Sequence, residues 1–185
     1  MLDKYPGSTV LHNLICSKVV PQVVRENRGT PVVTRVGHSF IKGVMAETGA
    51  VFGGEHSGHY YFRDNYNADS GSIAALVVLE VISRAGVPLS ELRKPFEPYA
   101  QSGEINTEAS RPAAVIDAIG KSFAASNPQA SQSRLDGLTV DFGSWWFNLR
   151  PSNTEPLVRL NVEAGDRAAC DARTRELQAL IKEHS

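Results

Sequence analysis

The stretch Thr9 to Phe52, TVLHNLICSKVVPQVVRENRGTPVVTRVGHSFIKGVMAETGAVF, alternates two periodicities. Thr9 to Ile15 is an apolar run of strand length, and Val19 to Asn27 has helical spacing, with Pro21 tolerable in the first turn. Gly29 stops that helix. Pro31 opens a second strand, Val32 to Val36. Ser39 to Thr48 reads as a helix with Phe40, Ile41, Val44 and Met45 inward and Gly49 at its C-terminal stop. Ala50 to Phe52 is a third strand. Short strands joined by single helices imply right-handed βαβ crossovers and a largely parallel sheet. In such sheets ligands collect outside the carboxyl ends of the strands. Those ends carry Lys18, His38 and the run Gly53-Gly54-Glu55-His56-Ser57-Gly58-His59, so the three groups are expected on one edge.

Beyond this stretch, Asp69 or Ser70 can cap a helix from Gly71 to Ala85, apolar almost all round and so expected to be buried on more than one side. Gly86 and Pro88 end it, and Leu89 to Tyr99, broken by Pro95 and Pro98, reads as a short helix and connector. The second half changes pattern. Pro112 to Ala125 is an amphipathic helix and Ser126 to Ser133 a polar loop. Leu138, Val140 and Phe142 then alternate with polar neighbours, as do Val158, Leu160, Val162 and Ala164, as in an antiparallel sheet with one wet face. Asp166 caps a last helix with Leu177, Leu180 and Ile181 inward. The reading is an α/β domain over residues 1–92 followed by a small α+β domain over residues 100–185, its antiparallel sheet flanked by helices.

With 42% hydrophobic and 21% charged residues, the chain has the composition of a globular protein with a real core. Its 19 Lys and Arg against 20 Asp and Glu leave no global field for nucleic acid or an anionic membrane, so any anion must be held locally. The two cysteines, Cys16 and Cys170, are far apart and have no metal spacing. The longest apolar run, Ile73 to Ile82, is about half of what spans a bilayer, and no signal peptide precedes Leu2. A cytoplasmic protein without nucleic-acid or membrane partners is expected.

Two stretches can carry chemistry. In Gly53 to His59, two glycines allow a sharp turn that presents a carboxylate, a hydroxyl and two imidazoles. Glu55 can accept from two vicinal sugar hydroxyls, and Ser57 and His59 can donate or accept beside it. The alternative is a polar turn with an idle glutamate. In Arg150-Pro151-Ser152-Asn153-Thr154, one guanidinium, two hydroxyls and an amide can surround a phosphate, unless the loop is simply an Asx or Ser turn beside a structural Arg. Lys18 opens a helix, where an anionic ligand would relieve its conflict with the dipole, or it is a solvated lysine. His38 is either a ligand contact or a capping imidazole.

Taken in order, Val36-Gly37-His38-Ser39-Phe40-Ile41-Lys42, Gly53 to His59, and Arg150-Pro151-Ser152-Asn153-Thr154-Glu155-Pro156 closely resemble motifs of the α-D-phosphohexomutases, the phosphomannomutase/phosphoglucomutase family. The resemblance covers nearly the whole chain. It implies most of the third domain, truncated at its N-terminal side, and all of the fourth, the latter similar to the TATA-box-binding protein in fold. It implies that Glu55 and Ser57 read sugar hydroxyls, that Arg150, Ser152, Asn153 and Thr154 hold the phosphate not being transferred, and that Lys18 and His38 lie near substrate. His59 becomes a candidate for proton transfer or sugar contact. The family's T-A-S-H-N-P phosphoserine motif and D-G-D-x-D-R magnesium loop belong to domains I and II and do not occur here. Ala125-Ser126-Asn127-Pro128 imitates the first but lacks its histidine.

The implied parent enzyme uses Mg2+ that this fragment does not bind. It converts mannose or glucose 1-phosphate and 6-phosphate through the 1,6-bisphosphate, with the fragment alone inactive. Phosphoglucosamine mutase, or a sugar-phosphate-binding module without catalysis, are the competing functions, and His56 favours the phosphomannomutase side.

Overall fold

In the computed structural model, which describes all 185 residues, strand β1 (Thr9–Asn13) is the second strand of the five-stranded first sheet. Helix α1 (Val19–Glu26) leads to β2 (Thr30–Thr34), and α2 (His38–Thr48) to β3 (Phe52–Gly54). Both β2 and β3 pair with β1 in parallel, so the two crossovers expected from the sequence are present. The sheet is nevertheless mixed. Strands β4 (Tyr60–Phe62) and β5 (Ala68–Asp69) add to β3 antiparallel, giving the order β2-β1-β3-β4-β5. Two of the expected strands end early or start late, β1 stopping at Asn13 and β3 running through Gly54.

The two glycines of the candidate sugar loop therefore do not make the turn. Gly53 sits in β3, where a Cβ would come 3.2 Å from Ile41 Cδ1, so its bare backbone is what lets α2 close onto the sheet. The turn is made by Gly58, at φ 85°. On that face Leu11, Ile41, Met45 and Tyr61 are fully buried together. Phe40 is the exception to the expected inward set. It is 45% exposed, one step around the helix from the Ile41 and Met45 stripe, with the Arg35 guanidinium 4.4 Å above its ring.

Helix α3 (Gly71–Ala85) is capped by Ser70, whose Oγ accepts from Ile73 N at 3.2 Å. It buries no residue, and Leu76, Leu79 and Val81 are each more than half exposed. The burial expected from its composition is absent: Ile73, Ala74, Val77 and Ile82 are half-buried and the rest of the helix is exposed. A short α4 (Leu89–Arg93) follows. The chain divides into a first unit, Met1–Pro98, and a second, Tyr99–Ser185. No single helix is long and apolar enough to cross a membrane.

In the second unit β6 (Ala100–Gln101) and β7 (Ile105–Glu108) precede α5 (Pro112–Ser126). Then come β8 (Ser131–Ser133), β9 (Leu138–Asp141), β10 (Trp145–Pro151), β11 (Leu157–Ala164) and α6 (Arg167–His184). The sheet is antiparallel throughout, in the order β6-β11-β10-β9-β8, with β7 also on β11. The segment read as a polar loop contains the edge strand β8. Asp166 caps α6 by accepting from Ala169 N at 2.8 Å. Helices α5 and α6 supply Ile116, Ile119, Phe123, Leu177 and Ile181 to a core with Phe147, Leu149, Val158 and Leu160. Each such side chain contributes about 1.5–3 kcal/mol on burial.

The other face was expected to be wet, yet Asn148, Asn161 and Glu163 are buried. Glu163 is compensated by Trp146 Nε1 and Gln101 Nε2, both donating at 2.9 Å. Asn148 Nδ2 donates to Leu138 O and Thr139 Oγ1. Glu163 is thus buried at little cost because its hydrogen bonds are replaced, whereas Asn148 Oδ1 and Asn161 Oδ1 are buried without a partner.

Candidate functional site

The carboxyl ends of β1 and β3 meet at Glu55. Its side chain is 5% exposed and its carboxylate accepts from three protein donors. Tyr61 Oη donates to Oε1 at 2.6 Å, while Gly37 N at 3.0 Å and Asn13 Nδ2 at 3.3 Å donate to Oε2. Asn13 Oδ1 in turn accepts from His56 N at 3.4 Å. Burial and the neighbouring carboxylate push the Tyr61 phenol well above its ordinary value, so it stays a neutral donor. Glu55 is thus fixed in place, with three of about four lone-pair sites used.

Around this anchor the loop is tied by Glu55 N donating to His59 O at 2.9 Å and Gly58 N to Glu55 O at 3.0 Å. Ser57 and His59 are exposed. His38 is exposed at the first position of α2, immediately after the Gly37 amide that Glu55 holds, and Lys18 stands at the N-cap of α1 on the same carboxyl edge. Gly37 has φ 125°, a conformation other residues avoid, and it aims its N–H at the carboxylate.

His59 Nδ1 lies 2.7 Å from Asp69 Oδ2, and Asp69 Oδ1 accepts from Tyr60 N at 2.8 Å. The hydrogen bond to Asp69 raises the His59 pKa above the ordinary value, against a small opposing effect of burial. Asp69 is lowered by the same pair. Because the folded value of His59 is raised, the pair's stabilisation is complete below the ordinary histidine pKa and is lost as pH rises through the folded one. Asp69→Asn should bring the His59 midpoint down, read from its ring proton shifts between about pH 5 and 8. An unmoved midpoint would remove Asp69 as the cause.

In the second unit Arg150 and Arg159 are direct cross-strand partners on β10 and β11. Like charges placed opposite one another repel. Glu104 spans them, Oε2 at 2.5 Å from Arg150 Nη2 and Oε1 at 2.6 Å from Arg159 Nη1. Burial pushes Glu104 up, but the two guanidiniums outweigh it and hold the carboxyl below its usual range. One positive charge remains in excess, and the Nε of each arginine is buried without a hydrogen-bond partner. Beside them Ser152 Oγ accepts from Arg159 Nη2 at 3.3 Å and from Thr154 N at 3.4 Å, while Asn153 and Thr154 are exposed. Gly137 touches this loop from β9's approach. At φ 71°, a Cβ there would lie 2.1 Å from Leu149 O and 2.7 Å from Arg150 Cα.

The structure thus gathers Glu55, Ser57 and His59 in one loop beside His38, and Arg150, Ser152, Asn153 and Thr154 in another. Five partners were missed in the sequence reading: Asn13, Tyr61, Asp69, Glu104 and Arg159. Asn13 ends a strand on the correct edge, and Arg159 lies in a strand that follows the phosphate loop directly. Both were findable from position. No cluster of three or more His, Cys, Asp or Glu could hold a metal ion, so the residues present do not fit the magnesium site that the family implies.

Comparison with known proteins bears on the same residues. The family model described as phosphoglucomutase/phosphomannomutase, alpha/beta/alpha domain III, matches residues 1–99, and the C-terminal domain model of that family matches residues 104–179. The chain belongs to the phosphoglucomutase/phosphomannomutase family. Family members similar to it include the phosphomannomutase of Salmonella typhimurium, 43% identical over 98% of this chain and 40% of the relative. That of Methanocaldococcus jannaschii is 36% identical over 98% and 39%. A crystal structure of a phosphoglucomutase/phosphomannomutase family protein from Burkholderia thailandensis superposes with TM-score 0.84 at 29% identity, covering 99% of this chain and 39% of that one. The chain spans about two fifths of the length of the curated relatives it matches.

Proposed function

We propose that this chain is the sugar- and phosphate-recognition portion of a cytoplasmic phosphomannomutase/phosphoglucomutase that interconverts hexose 1-phosphate and hexose 6-phosphate through a bisphosphate. The supporting observation is the pair of guanidiniums at Arg150 and Arg159 held opposite each other with a single carboxylate between them. Such a pair leaves charge and fork-shaped donors for a phosphate. Ser152, Asn153 and Thr154 complete that grip. Glu55, fixed by Tyr61, Asn13 and Gly37, keeps an acceptor for sugar hydroxyls, with Ser57, His38 and Lys18 beside it.

His59 donates through Nδ1 to Asp69 and so presents Nε2 to substrate. Its raised pKa suits proton transfer near neutral pH. The ligands are mannose or glucose 1- and 6-phosphates and the 1,6-bisphosphate. Domains I and II of the family would bring the phosphoserine and the Mg2+ loop, and no step through the metal is assigned to this chain.

The test is a chimera in which this chain replaces the matched 184 residues of the Salmonella typhimurium phosphomannomutase. The chimera should interconvert mannose 1-phosphate and mannose 6-phosphate, whereas the chain alone should show no turnover. Arg150→Ala in the chimera should lower kcat/KM by about 10- to 150-fold, the loss of one charged hydrogen-bonding partner. A folded chimera without activity, or one indifferent to Arg150→Ala, would contradict the proposal.

A further inference from the structure

Arg150 and Arg159 reach the phosphate loop from paired strands, β10 and β11, and the Nε of each is buried. Glu104 reaches them from a different kind of backbone. It lies in the connector between β6 and β7, directly after Gly103 at φ 70°, and its side chain is 26% exposed against 12% for Arg150. Of the three charged groups, the carboxylate is the one carried on loop backbone and so the one able to swing out. It also occupies donors that an incoming phosphate needs. With its Nε buried, Arg150 offers a ligand the fork of Nη1 and Nη2, and Nη2 already donates to Glu104 Oε2 at 2.5 Å. On Arg159, Nη1 donates to Glu104 Oε1 at 2.6 Å and Nη2 to Ser152 Oγ at 3.3 Å. A phosphate oxygen on Arg150 Nη2 would therefore stand beside Glu104, negative charge against negative charge.

We propose that Glu104 is a built-in anion that occupies the two arginines between substrates and is displaced by phosphate. The proposal rests on the reading of Arg150, Ser152, Asn153 and Thr154 as a phosphate grip. A carboxylate fits guanidinium donors as a phosphate does but carries a single charge, so Glu104 leaves one positive charge in excess. A phosphate dianion facing both arginines removes that excess, and the stronger anion replaces the weaker one. When the phosphate leaves, the carboxylate returns. In a reaction that runs through a bisphosphate, a loop holding the phosphate not being transferred must let go of one phosphate and take the other. A carboxylate ready to refill the fork lowers the affinity for both, because only the displaced fraction of the chain can bind. Glu104 thus sets the strength of the grip and favours release, without itself touching substrate.

Titration of the full chain with inorganic phosphate tests the proposal, at constant ionic strength and about pH 8, where phosphate is mainly a dianion. The amides of Ser152 and Thr154 are followed in the native chain and in Glu104→Gln. The variant keeps the shape of the side chain and loses its charge, and its Kd for phosphate is expected to fall by about tenfold or more. Glu104→Gln also leaves the cross-strand arginines less shielded from each other, so a second measurement covers a weakened fold. In urea unfolding read by tryptophan emission, a fixed phosphate concentration should raise the midpoint of Glu104→Gln more than that of the native chain, because stabilisation by a ligand grows as its Kd falls. A Kd that is unchanged or raised in Glu104→Gln, or a midpoint that phosphate raises no more than in the native chain, would overturn the proposal. Glu104 would then be a strut that aims the arginines, and the phosphate grip itself would stand. Absence of any phosphate response at Ser152 and Thr154 in both proteins would instead remove the grip, and this inference with it, so the two failures are told apart.

Discussion

Glu55→Ala is expected to loosen the first unit by at least about 3 kcal/mol. The substitution strands three donors, Tyr61 Oη, Asn13 Nδ2 and the Gly37 amide, at a position almost sealed from water. Each buried donor left without an acceptor costs about 1–3 kcal/mol, partly relieved where water enters. The same three contacts join β1, the start of α2 and β4, so their loss is felt across the sheet. Glu55→Gln keeps the shape but turns an amide toward donors, and should cost about half as much. Hydrogen exchange followed by mass spectrometry can separate the units, because both tryptophans, Trp145 and Trp146, lie in the second and report it independently. Faster exchange in residues 9–13 and 52–62 with unchanged tryptophan emission is the expected pattern. Unchanged exchange in Glu55→Ala would mean that the carboxylate does not organise the loop.

Gly137→Ala should be still more damaging, and to the other unit. The residue sits at φ 71°, and a methyl group there would overlap the Leu149 carbonyl oxygen and the Arg150 backbone. Neither neighbour is a flexible side chain that can step aside. Strain at such a position costs about 1–3 kcal/mol before the collision is counted, and the collision forces β10 away from the β9 turn. Arg150 is carried on that strand, so the phosphate loop moves with it. A loss of at least about 4 kcal/mol in urea unfolding, read by tryptophan fluorescence, is expected. A loss below about 1 kcal/mol would show that the turn accepts a side chain and that Arg150 is not held by this backbone contact.

The parts of the fold that the sequence revealed are those with strong local signals. The parallel core is legible because Thr9 to Phe52 alternates strand and helix periods with glycine stops. Helix α6 is legible from Asp166 and its apolar stripe. Strands β4 and β5 were not, since three and two residues are too few to display alternation, and their pairing is dictated by the turn at Gly58. The burial expected of α3 failed for another reason. An all-round apolar helix announces that it will be covered but not by what. Of the site, the residues carrying recognisable chemistry were visible, whereas their supports were not. Asp69 looked like a helix cap because Asp and Ser70 are equally good caps, and only the structure gives the cap to Ser70 and Asp69 to His59. Glu104 is 46 residues from Arg150, and no local pattern reaches that far.

The central claim, that Glu55 and Ser57 read sugar hydroxyls and that Ser152 and Thr154 hold phosphate, is tested most directly by NMR titration of the purified chain. Mannose 6-phosphate and inorganic phosphate are added in separate series at constant ionic strength, and the amides of Glu55, Ser57, Ser152 and Thr154 are followed. Affinity without the remaining domains is expected to be weak, around millimolar. Mannose 6-phosphate should shift all four amides, and inorganic phosphate chiefly Ser152 and Thr154. A saturating mannose 6-phosphate series that moves Thr154 and leaves Glu55 and Ser57 untouched would contradict the claim.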